Sequence, residues 1–170
     1  MPTLADAFQE AMRPGAQRSI SVRAFTPEQI RTAIADLVSA DQLPLADALG
    51  VAGLTFYPDS EALLGVCALL ALVRQDWQEA DHLLGRQVAA NGMSAAPSTW
   101  LHWIRSIQCQ LDTERALATA QLAVHEHPAD NDLSEALDHL TNLLVGEHHA
   151  QVQRLPGRAP LTPVMQPNQG

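Results

Sequence analysis

The chain has 170 residues and a mass of 18.4 kDa, room for one ordinary core and too little for two independent ones. Its 27 Ala and 24 Leu outnumber the 24 Val, Ile and Thr by about two to one, and aromatics are 4%; this composition favours closely packed helices and excludes a disordered or fibrous chain. All ten basic residues are Arg and nineteen acids leave a formal charge of −9, with −12 of it in residues 32–150, so the cationic surplus that phosphate backbones require is missing and nucleic acid is excluded as a partner.

Residues 3–12 read as a short amphipathic helix without the basic, apolar and small-residue order of a secretory signal, which predicts a cytosolic protein. Residues 14–24 follow as a linker, so 1–26 form an N-terminal helix and connection. Thr26-Pro27-Glu28-Gln29 is a helix start, with a capping hydroxyl, Pro at the first helical position and an acid behind it; Ile30, Ala33, Ile34 and Leu37 continue at helical steps. In the next unit Leu63, Leu64, Cys67, Ala68, Ala71 and Leu72 share this period, Gln75-Asp76 turns the chain, and Trp77, Ala80, Leu83, Leu84 and Val88 resume it. A third unit opens at Ser98, carries Trp100, Trp103, Ile104 and Ile107, turns near Leu111-Asp112, and runs through Ala116, Leu117, Ala120 and Val124 to a stop at His127-Pro128. Leu133, Leu137, Leu140 and Leu144 then form one stripe over 131–146, a terminal helix with a polar outer side. Residues 147–170, with Pro156, Pro160, Pro163 and Pro167, are expected to be an extended tail.

The three units are in register. Ala46 and Ala116 lie twelve residues before Pro58 and Pro128; Ala80 stands 34 residues after Ala46 and 36 before Ala116, with Asn91-Gly92 turning the chain where the other units use Pro. Two inserted residues account for the 36. Units of 27–60, 61–94 and 97–130, each a helical hairpin with small residues at the crossing, resemble the tetratricopeptide repeat. The match is degenerate, because the family's aromatic and Gly sites in the first helix are largely aliphatic here and Gln87 replaces a small residue in the second unit. The resemblance implies an all-α, right-handed superhelix over 27–146, three hairpins closed by the cap helix, with the first helix of each hairpin lining a concave groove.

Residues 62–73 form an uninterrupted apolar run of twelve, too short to span a bilayer, so no membrane span is expected. A helix apolar on every side must be covered on every side. Stacking covers most of it, and the rest needs a peptide, a neighbouring subunit or the N-terminal helix. The groove-facing set is taken as Arg31, Ala62, Gly65, Leu69, Leu72, Leu101, Arg105 and Gln108, suited to an extended, mostly apolar peptide with an Arg for a main-chain or carboxylate contact. The Lys/Asn/Arg clamp by which some tetratricopeptide domains hold chaperone C-termini has no counterpart, since there is no Lys. Length, three repeats, short N-terminal helix, acidic body and Pro-rich tail are similar to the small cytosolic class II chaperones of bacterial type III secretion. That resemblance implies a protein client held in the groove, the alternatives being an assembly adaptor and a structural subunit whose repeats serve a homodimer or larger self-assembly. Residues 160–167 are themselves extended and apolar enough to occupy such a groove.

Catalytic and cofactor chemistry finds little footing. There is no GxGxxG, P-loop or GxSxG, and no HExxH or CxxC framework around the seven His, so an enzyme, a cofactor and a metal site are not expected. Cys67 and Cys109 sit in apolar patterns and read as reduced core thiols. His125, His127, His139, His148 and His149 read as solvated helix-end residues, and His82 and His102 as surface. Asp76, Glu79, Asp130 and Asp132 read as caps. Trp100 and Trp103, three apart on one helix, read as core, with one of them able to serve as a groove anchor.

Overall fold

A computed structural model describes residues 4–13 and 21–154. Among them are eight α-helices and no strand: α1 (Leu4–Ala11), α2 (Pro27–Ser39), α3 (Leu43–Phe56), α4 (Glu61–Val73), α5 (Trp77–Asn91), α6 (Pro97–Cys109), α7 (Thr113–Glu126) and α8 (Asn131–Arg154). Helices α2/α3, α4/α5 and α6/α7 are the three hairpins, stacked in sequence order with α8 packed on α7 and α6.

Each hairpin is built on the same local chemistry. Thr26 and Gln29 form a reciprocal capping box at the start of α2: the Gln29 N–H donates to Thr26 Oγ1 at 3.3 Å and the Thr26 N–H to Gln29 Oε1 at 2.9 Å. Asp76 and Asp112 cap α5 and α7 through the Glu79 and Arg115 amides. Within each hairpin the chain reverses through one left-handed residue, Asp41, Gln75 or Leu111, with φ of 57°, 59° and 61°. The amide after it reaches back to the first helix: Gln42 to Leu37 O at 2.8 Å, Asp76 to Ala71 O at 2.9 Å. Such a closure satisfies carbonyls that the helix end leaves open.

At the crossing, Ala46, Ala80 and Ala116 are fully buried. Gly50 and Gly53 of α3 extend that close approach to the next hairpin: a Cβ at Gly50 would stand 2.7 Å from Cys67 Sγ of α4, and one at Gly53 3.1 Å from both Ile30 of α2 and Leu63 of α4. Between hairpins the turns are tied by Tyr57 Oη donating to Phe25 O at 3.0 Å, by Arg86 bonding Pro58 O, and by His127 Nε2 with Ala95 O at 2.9 Å. His127 is therefore half-buried and bonded rather than solvated. The connection between α5 and α6 contains a single 3₁₀ turn, Gly92–Ser94, where Gly92 takes φ 51°.

Two expectations change at the ends. Helix α1 buries Ala5 and Phe8 against α2 and α3, so the N-terminal helix does not cover α4. The cap extends eight residues past 146 to Arg154. Every residue after Gly146 up to Arg154 is compatible with a helix, and the first break is Pro156, which disfavours α geometry just before it. Leu133 and Leu140 of α8 are fully buried, closing the α6–α7 face. The proposed docking segment 160–167 lies outside the described residues.

Candidate functional site

Residues of α2, α4, α6 and α8 line a trough made of two adjoining hollows. Its first part is a 670 Å³ hollow between Glu28, Arg31 and Ala35 of α2 and Ala62, Gly65, Val66 and Leu69 of α4, with Gln87 of α5 at its floor. Its second part, 860 Å³, lies between Leu69, Leu72 and Val73 of α4, Trp77 of α5, and Leu101, His102, Arg105 and Gln108 of α6, with Ala136 of α8 at the far wall. Leu69 belongs to both hollows and joins them. The eight residues read from the sequence as groove-facing all line one hollow or the other.

The trough exists because α4 and α6 stand apart. α2 packs along α4 and α6 along α8, whereas α4 and α6 meet little. The apolar run in α4 is accordingly covered on three sides only: Leu63, Leu64, Ala68, Leu70 and Ala71 are buried, Leu72 is half-buried, and Leu69 is 47% exposed. An apolar side chain that large on the floor of a concavity favours a ligand that removes it from water.

The charged rim is uneven. Arg31 is engaged by Glu28 at 2.8 Å, one turn earlier on α2. Arg105 pairs with no carboxylate among the described residues. His102, read as a surface residue, is half-buried in the trough wall.

Neither Trp of α6 reaches the trough, which removes both as groove anchors. Trp100 is core, and Trp103 lies across Gly85 of α5, where a Cβ would meet its ring at 3.2 Å. The Trp103 indole N–H donates to Asp81 Oδ1 at 2.7 Å; Asp81 also receives Gln110 Nε2 at 3.1 Å and an ion pair from Arg115. Burial pushes the Asp81 carboxyl up, but the hydrogen bonds from Arg115, Trp103 and Gln110 and the Arg115 charge outweigh it, so it titrates below its ordinary value. Asp81 thus fastens α5 to α6 and α7 on the side away from the trough.

The thiols part company as well. Cys67 is buried, and its pKa is pushed up to about 11 by burial first and by Asp47 and Glu79 second, against Arg74. Cys109, expected in the core, is exposed because it ends α6 where the apolar face has already turned away. Among the described residues no cluster of three His, Cys, Asp or Glu could hold a metal ion, and no helix is long and apolar enough to cross a membrane.

The predicted set omits several neighbours of its own members on α2, α4 and α6, such as Glu28, Ala35, Val66 and Val73, and it also omits Gln87, Trp77, His102 and Ala136. Of these last four, Gln87 carried a signal, as the large residue at a small-residue position; Trp77, His102 and Ala136 face the trough because of how α5, α6 and α8 are set against α4.

No family model matches the chain, and no curated protein is similar to it in sequence. Solved structures are similar in fold. A structure of MamA MSR-1 superposes with a TM-score of 0.63 at 15% identity, covering 77% of this chain and 74% of that one. MamA AMB-1 gives 0.62 at 16%, covering 79% and 77%. The first TPR of Spaghetti (RPAP3), bound to the HSP90 peptide SRMEEVD, gives 0.60 at 12% and covers 70% of this chain and 93% of that one. With the hairpin register and the small-residue crossings described above, these likenesses establish the architecture: an all-α, tetratricopeptide-like superhelix of three hairpins between an N-terminal and a capping helix.

Proposed function

We propose that this chain is a non-catalytic protein-binding module whose trough takes an extended, mostly apolar segment of a client protein. The observation that carries the reading is Leu69, 47% exposed where the two hollows meet and covered by neither α1 nor a neighbouring helix. A peptide-bound structure among the similar folds supports it. Within this class, a cytosolic chaperone of bacterial type III secretion is the narrower reading; three hairpins, a short first helix and an acidic body support it, and an assembly adaptor has the same architecture.

The test is a decapeptide library displayed on phage and selected against the full chain, with affinities of fluorescein-labelled hits measured by anisotropy. Leu69→Arg is expected to weaken the hits at least tenfold while leaving the far-ultraviolet circular dichroism helical, because a half-exposed side chain is replaced. Unchanged affinity would overturn the reading. A dimer of the wild type that Leu69→Arg dissociates would transfer the trough to self-assembly.

A further inference from the structure

Positions 53, 87 and 123 are equivalent in the three second helices, following the same 34- and 36-residue steps as the crossing alanines. Gly53 and Ala123 are buried and small, and neighbouring first helices close over them. Gln87 occupies that position between the two first helices that stand apart. The residue is only 9% exposed and lines the floor of the 670 Å³ hollow. It reaches there past Gly65: a Cβ on Gly65 would lie 3.3 Å from Gln87 Nε2 and 3.6 Å from Oε1, so the absence of a side chain on α4 leaves the carboxamide its passage. Gln110, the amide that follows α6, donates to Trp77 O, Asp81 and Ser106 O. The Gln87 carboxamide bonds to none of the described residues. Its two donors and one acceptor face the hollow, where water meets them until a ligand with matching main-chain groups displaces it.

We propose that Gln87 is a main-chain reader: its carboxamide donates to a carbonyl and accepts from an N–H of a peptide lying extended along α4. This deepens the peptide-binding reading and rests on it. The bound segment must be extended, because a helix has already paired its own main chain and offers Gln87 nothing. Leu69, Leu72 and Leu101 then take its apolar side chains, and Arg105, which pairs with no carboxylate among the described residues, favours an acidic residue at the α6 end. The occupant is thus an extended client segment with apolar residues followed or preceded by an acid, read at Gln87 by its backbone rather than its sequence.

The experiment is a cycle between protein and peptide backbone. The best phage-selected decapeptide is synthesised with each amide N-methylated in turn, and each form is titrated against the wild-type full chain and Gln87→Met, which keeps length and removes both hydrogen-bonding functions. One N-methyl position is expected to cost about tenfold with the wild type and to cost nothing further with Gln87→Met, which itself binds the parent peptide about tenfold more weakly. An equal N-methyl penalty in both proteins, or full affinity of Gln87→Met for the parent peptide, overturns the proposal while leaving the binding module intact. Selection only of helix-forming peptides also overturns it. Gly65→Ala, which keeps Gln87 but crowds its carboxamide out of the passage, is expected to reproduce the loss at the same N-methyl position; it decides the matter should Gln87→Met unfold, and an unaltered N-methyl profile there overturns the proposal.

Discussion

At the scale of single residues, identity and environment separate chemically equal side chains. Cys67 and Cys109 sit in similar apolar patterns, but one faces Gly50 inside the stack and the other ends a helix in solvent. A thiol reagent such as DTNB at pH 8 is therefore expected to titrate one thiol per native chain rapidly and the second only in denaturant, since burial both blocks Cys67 and holds it protonated with a pKa of about 11. Rapid reaction of two thiols in the native protein would contradict the burial of Cys67. Burial of this kind is hard to read along the sequence because a helical stripe gives the period of the apolar face and not the turn at which that face leaves its neighbour.

At the scale of elements, hairpins are joined by few polar contacts, and Asp81 makes three of them. Asp81 is 15% exposed in its side chain and holds Trp103, Gln110 and Arg115, residues of α6, the following turn and α7. Asp81→Asn is expected to cost about 1–2 kcal/mol at pH 7 by urea denaturation, the range for hydrogen bonds to a charged group reduced for the solvent around Arg115. Because the folded-state pKa of Asp81 is depressed, its contribution is present above the ordinary carboxylate pKa and lost as pH falls through the lowered value. The gap between wild type and Asp81→Asn should narrow towards pH 3, and a gap unchanged there would show that the charge is not what holds the elements. The apolar periods place α5, α6 and α7, but no spacing within one helix shows that Asp81, Trp103 and Arg115 converge.

At the scale of the molecule, the stack has two ends and one open side. The α6–α7 end is closed by Leu133 and Leu140. A chain ending at residue 130 would present that face to water, and it is expected to lose its cooperative thermal transition by circular dichroism and to associate by light scattering. A monomeric truncation that melts cooperatively would mean the hairpins need no cap. The open side is the trough, and the covering that the N-terminal helix could have given it goes instead to α2 and α3.

The sequence alone determined the helices, their pairing into hairpins and the face of each first helix that borders the trough, because the crossing alanines, the turn residues and the apolar steps are all local, covalently spaced signals. Only the tertiary structure decided that α4 and α6 stand apart, that Gln87 passes Gly65 into the hollow, and that Trp103 turns away to Asp81. Those outcomes depend on the distance and rotation between helices, which follow from the volumes packed between them rather than from the period of any one helix.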